Sequence, residues 1–192
     1  MRKLIYFLFA ILLLNSCSGC NDVKREVIVE NTVQADITDM KSMYKDSQFV
    51  WLETLVLLNH YLDEENDGTF KEVTNVFQAV EKGGKDSKVY KYQHYSDGIN
   101  FKGYVEGFWI EDFPLVDSLV KVPYDSAYSI VMKVNLPKPH SKQVCLRKPI
   151  GPNSCNPQWI FGNIHSQIWI DAITGEVKES NPAFPDGFKY IW

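Results

Sequence analysis

The residues of this 192-residue chain best suited to react or to hold a metal are its four cysteines and four histidines. Cys145 and Cys155 bracket the stretch Leu-Arg-Lys-Pro-Ile-Gly-Pro-Asn-Ser, whose two prolines and glycine suit a loop that brings its ends together. A disulfide between them is therefore expected, and closing so short a loop contributes about 2–3 kcal/mol. Two unpaired thiols on adjacent strands, or a pairing with Cys20, remain the alternatives. His60, His94, His140 and His165 are scattered singly, so no metal centre is expected. The acidic run from Asp63 to Asp67 invites a calcium reading, but the twelfth residue of a loop opening at Asp63 is Thr74, where a bidentate glutamate is needed. Neither a GxSxG elbow, an HExxH helix nor a phosphate-binding glycine loop is present. His94 beside Tyr92 and Tyr95, and His165 near Trp169, read as strand residues serving packing or surface. The chain is expected to be no enzyme and to carry no cofactor.

At the N-terminus, Arg2 and Lys3 precede an apolar run from Leu4 to Leu14, too short to cross a hydrocarbon core about 30 Å thick. Such a segment reads as an export signal. It ends in Leu14-Asn15-Ser16-Cys17, which resembles the lipobox of bacterial lipoproteins. The resemblance implies cleavage before Cys17, a diacylglyceryl group on its sulfur and acylation of the new amino group. Each buried methylene contributes about 0.8 kcal/mol, and two or more chains hold a protein stably on a membrane. An ordinary secretory leader, or cleavage before Cys20, is the plainer alternative. The expected location is the bacterial cell envelope, extracytoplasmic, on the outer membrane or the periplasmic face. Removing residues 1–16 leaves 18 basic against 24 acidic residues, a net charge of −6 in place of −4. With no basic stripe interleaved with aromatics, nucleic acid is excluded as a partner.

The elements that must position any site follow from apolar periodicity. Residues 17–34 read as a polar tether, and the folded part is expected from Ala35. From Ile37 to Leu62 the apolar positions step by three or four, predicting one long helix, with Asp36 or Thr38 at its start and the acidic run as its stop. Val73–Val80, Lys88–Tyr95 and Ile99–Ile110 then alternate or carry dense β-formers, predicting an antiparallel meander. Phe101, Tyr104, Phe108 and Trp109 concentrate aromatic surface in the last of these. Val122-Pro123 opens a second, short helix stopped by Pro137, followed by strands near Gln143–Arg147, Gln158–Phe161, Ile164–Asp171 and Glu176–Lys178. The fold class expected is α+β: a helix and then an antiparallel β-meander, twice, with helices packed on the sheet. The units would be 35–116 and 117–192, as one domain or two.

Within the second unit, Asp125-Ser126-Ala127, the strand Trp159-Ile160-Phe161 and the terminal Ile168-Trp169-Ile170-Asp171-Ala172-Ile173-Thr174-Gly175-Glu176-Val177 resemble a PepSY or PepSY-like domain. The resemblance covers residues of about 120–180 and implies a helix on an antiparallel sheet in an exported protein that binds or restrains peptidases. It carries no catalytic set. Only Asp171, Thr174 and Gly175 transfer, as residues of a turn; the cysteine loop departs from the pattern.

Together these features point to a lipid-anchored, non-catalytic module that binds a protein or peptide. The expected surface is a strand edge or an aromatic patch including Trp109, Trp159 or Trp169. A structural subunit of an envelope assembly is the alternative, and an envelope hydrolase a more distant one.

Overall fold

The computed structural model describes residues 27–65, 67–80, 87–109, 112–150 and 156–178. Helix α1 (Val29–Met43) leads into strands β1 (Phe49–Leu58), β2 (Phe70–Val80), β3 (Ser87–Tyr95) and β4 (Asn100–Glu106). A connection carrying the short strand β5 (Asp112–Phe113) reaches helix α2 (Tyr124–Lys133), followed by β6 (Gln143–Pro149), β7 (Gln158–Asn163), β8 (Ser166–Asp171) and β9 (Val177–Lys178). All strands join one antiparallel nine-stranded sheet in the order β4-β3-β2-β1-β6-β7-β8-β9, with β5 pairing β6 off this path. One mixed sheet-and-helix fold of the α+β class results. None of its helices is long and apolar enough to cross a membrane, among the described residues.

Two expectations are corrected. The long helix over Ile37–Leu62 does not exist: α1 ends at Met43, a short 3-10 turn at Asp46–Gln48 intervenes, and Phe49–Leu58 is a strand. FVWLETLVLL is apolar at nearly every position, which suits a central strand covered on both faces as well as it suits a buried helix; periodicity alone cannot separate the two. Pairing to β2 on one side and β6 on the other decides it, because both edges of β1 find partners. The supposed tether 17–34 also ends sooner, since α1 begins at Val29. Val29, Thr32, Val33, Asp36 and Met40 share one face of that helix, so a segment with few apolar residues still has enough of them at helical spacing to bury a stripe.

Strand register puts Thr54, Val56, Val73, Asn75, Phe77, Tyr92 and His94 on one face of the sheet, together with Leu146, Trp159, Phe161 and Ile170. Tyr124 of α2 meets Trp159 edge-on with ring centroids 5.9 Å apart, and Tyr128 lies 6.4 Å from Phe161. On the α1 side, Asn75 and His94 bond to Thr32 and Asp36. The opposite face is crossed near β2 and β6 by the connection after β4: the Trp109 backbone N–H donates to Gln78 Oε1, and Asp112 approaches Arg147 Nε at 3.3 Å.

Candidate functional site

The three tryptophans expected to form a binding surface do not share one. Trp159 is 1% exposed and its indole N–H donates to the Val122 carbonyl at 2.8 Å, so it is a core residue beneath α2. Trp169 is also buried but lies on the other face, because its partner across the ladder is Ile160 and not Trp159. Trp109 sits in the connection after β4, its indole N–H on Asp112 Oδ2. Period-2 alternation separates Trp159 from Trp169 through the thickness of the sheet.

Aromatic exposure instead concentrates on β4, the end strand of the sheet among the described residues. Every residue of Asn100–Glu106 is exposed. Phe101, Tyr104, Val105 and the following Phe108 are each more than half exposed. β4 pairs with β3 in unbroken register from Asn100 to Glu106, without bulge or proline. The flanking bonds Tyr95 N–H to Ile99 O and Gly107 N–H to Ser87 O fix the phase of the ladder. In an antiparallel pair alternate residues point their backbone groups at the neighbour, so the odd residues of β4 bond to β3. Asn100, Lys102, Tyr104 and Glu106 therefore turn their N–H and C=O groups to the open edge. Native proteins usually blunt such an edge; this one is regular.

Between α1 and the sheet lies a polar network. Asp36 is 3% exposed. Its Oδ2 accepts from Asn75 Nδ2 at 2.7 Å and lies 2.9 Å from His94 Nε2. Asn75 in turn donates to Thr32 Oγ1 and accepts from Thr54 Oγ1, which also takes the Trp51 indole N–H. The other ring nitrogen of His94 faces Asn100 Oδ1 at 3.1 Å. Burial opposes charge on this imidazole, but hydrogen bonds and attraction from Asp36, with the Asn100 contact, outweigh it and raise its pKa above the ordinary value. Both ring nitrogens face oxygens, an arrangement that favours the protonated form, in which each nitrogen donates. Beside it Lys102 Nζ and Tyr92 OH both donate to Asp39 Oδ2, at 2.6 and 2.7 Å. The Lys102 and Tyr92 hydrogen bonds together hold the Asp39 carboxyl below its usual range. The arrangement fastens α1 to β2, β3 and β4.

A cavity of about 270 Å³ opens beside this network, walled by Val29, Val33, Trp51, Leu146 and Trp159, with Glu30, Asp117 and Lys121 also lining it. Glu30 already accepts the Tyr124 backbone N–H at 2.6 Å, favourably placed at the start of α2.

The turn residues transferred from the family resemblance close β8 onto β9. Asp171 Oδ1 accepts the N–H groups of Ile173 and Thr174, Thr174 Oγ1 accepts that of Glu176, and Gly175 at φ +76° donates to the Asp171 carbonyl. Burial would raise the Asp171 pKa, but the Asn156 amide and these backbone donors outweigh it and lower it. The acidic run after β1 is likewise internally bonded: Asp63 pairs with His140, and Asp67 accepts from Thr69. No group of three potential metal ligands gathers among the described residues.

Cys145 is a free thiol whose pKa is pushed up to about 12, mainly by burial. Cys155, its expected disulfide partner, lies outside the described residues, as do Cys17 and Cys20. Sequence reasoning misses Asn75 altogether and takes Asp36 for a helix start, not for the centre of a buried network. The available signal is polarity in the wrong place: Asp36 sits on the apolar stripe of a helix, and Asn75 lies between Val73 and Phe77 in a strand. No family model, curated protein or solved structure matches the chain.

Proposed function

We propose that this protein is a non-catalytic binding module, held on the extracytoplasmic side of a bacterial membrane by lipid on Cys17, which takes a protein or peptide partner by strand addition at β4. The observation that carries the reading is the open backbone ladder of Asn100, Lys102, Tyr104 and Glu106, set among exposed Phe101, Val105 and Phe108. Strand addition draws affinity from main-chain hydrogen bonds and specificity from alternate side chains, and both are on offer there. The exposed apolar residues favour it further, since clustered apolar surface marks interaction sites. In this reading the chain comprises two units of like order, each a helix followed by a meander, sharing one sheet.

The test has two parts. Mass spectrometry of the mature protein should find acyl groups on an N-terminal Cys17; an unmodified N-terminus elsewhere removes the anchor. Chemical cross-linking in envelope membranes should connect the 99–108 region to protein. Cross-links spread without preference over the surface, or turnover of a peptide or glycan by the purified chain, would overturn the module.

A further inference from the structure

The ladder at the open edge of β4 is complementary to itself, and we infer that its occupant is a second copy of this chain, joined antiparallel about a two-fold axis at Gly103. This inference rests on the strand-addition reading of β4 and names its partner.

The phase of the ladder selects the register. Only even-numbered residues of β4 present free backbone groups, and in an antiparallel pair such residues must face one another two by two. Placing Asn100 opposite Glu106 of the second copy and Lys102 opposite Tyr104 engages all four even residues on both chains, for about eight hydrogen bonds. Shifting the strands by two residues leaves some of these groups unpaired. Gly103 then faces its own copy across the axis, in a pair without hydrogen bonds.

Side chains fit the same register. On the face opposite α1, Phe101 stands against Val105, Ile99 against Gly107 and Gly103 against itself, so each large residue meets a smaller one. A Cβ at Gly103 or Gly107 would meet nothing within 4 Å, so both positions leave room beside a neighbouring strand. The gap over the two glycines at the axis is what a pair of Phe101 rings can cover, as aromatic residues do for strand glycines. Phe101 against Val105 is also a favourable cross-strand pairing. On the other face Lys102 is already paired with Asp39 of its own chain and stands opposite Tyr104 of the second copy, while Glu106 stands opposite Asn100, so no like charges face each other across the seam. Isologous contact of this kind closes on itself and stops at a dimer.

The register makes a sharp test. Across a pair without hydrogen bonds the Cα atoms lie about 4.5 Å apart, within disulfide range. In the purified full chain, kept in detergent where it carries lipid, Gly103→Cys should give a disulfide-linked dimer under mild oxidation, at least tenfold above wild type. Phe101→Cys should not, because four residues separate it from its own copy, about 13 Å along the strand. Phe101→Lys with Val105→Lys puts like charges opposite each other and should halve the mass measured by sedimentation. Phe101→Lys with Val105→Glu restores opposite charges and should restore the dimer, which separates lost pairing from lost folding. A monomeric wild type, with no excess bridging in the Gly103→Cys variant, overturns the inference. Cross-links from 99–108 to other proteins only would overturn it too, while leaving the strand-addition reading standing; cross-links avoiding 99–108 altogether would remove both.

Discussion

Replacing Asp36 by alanine tests whether the polar network beneath α1 is a charged pair and not merely a set of hydrogen bonds. The substitution removes the acceptor of Asn75 Nδ2 and of His94 Nε2, at 2.7 and 2.9 Å. Asn75 is wholly buried and its amide nitrogen keeps only its bond to Thr32. The His94 side chain is 14% exposed, so a protonated ring left alone there is an uncompensated, mostly buried charge. Removing one partner of such a pair costs about 3–5 kcal/mol. The histidine has an escape, which sets the pH dependence. Its folded pKa is raised above the ordinary 6.5, so its contribution is fully present below 6.5 and fades as pH climbs through the folded value. Once the ring is neutral, Asp36→Ala leaves only unsatisfied donors, about 1–3 kcal/mol. Urea unfolding followed by tryptophan fluorescence reads this directly, since Trp51 donates into the same network through Thr54. With an m-value of about 2 kcal/mol/M, the midpoint should fall by roughly 2 M at pH 5.5 and by progressively less as the pH rises and the ring loses its proton. A loss under about 1 kcal/mol at pH 5.5, or one that grows with pH, would refute the ion pair.

Trp159→Ala should cost about 3–5 kcal/mol in denaturant unfolding, as expected for a core indole under α2 and not for a surface contact; a change below about 1 kcal/mol would return Trp159 to the binding surface. Thiol-labelling at about pH 8 should be slow at Cys145 in the folded chain, because its thiol is half-buried and pushed up to about 12, and fast once the chain unfolds; rapid labelling of the native protein would contradict the raised pKa. Gly162→Ala should destabilise by more than about 1 kcal/mol on thermal unfolding: φ is +129° and the new Cβ would run into the Ser166 carbonyl oxygen, so an unchanged melting temperature would show that the β7–β8 turn relaxes freely.

Residues 117–178 fold largely as local chemistry dictates. Pro123 precedes the first turn of α2, Asp125 lies in it, and the strands and the Asp171–Gly175 turn fall close to where alternation and turn residues put them. Phe49–Leu58 is the opposite case. Its residues stand at helical spacing and in a continuous apolar run at once, and what selects the strand is contact with β6, a long way off in sequence. No local rule carries that information. The same applies to the site. That a tryptophan is aromatic is visible in the chain, but which side of the sheet it occupies depends on register, and Trp159 and Trp169 go to opposite sides although Trp169 pairs with the residue next to Trp159. The exposed aromatics of β4 are visible in the sequence as a cluster; their being at an edge is not, because strand order belongs to the whole sheet.

The middle of the sheet is also its last part to become available. β1 lies early in the chain and β6 late, yet Leu57 must find Gln143 and Glu53 must find Arg147 before either strand has both neighbours. Chains dominated by such distant pairings fold slowly, because the loop must close before the contacts reward it. In a chain that folds as it is made, α1 to β4 are complete while β1 still lacks one partner. That interval makes the Phe49–Leu58 ribbon the segment most prone to mispairing while the rest arrives.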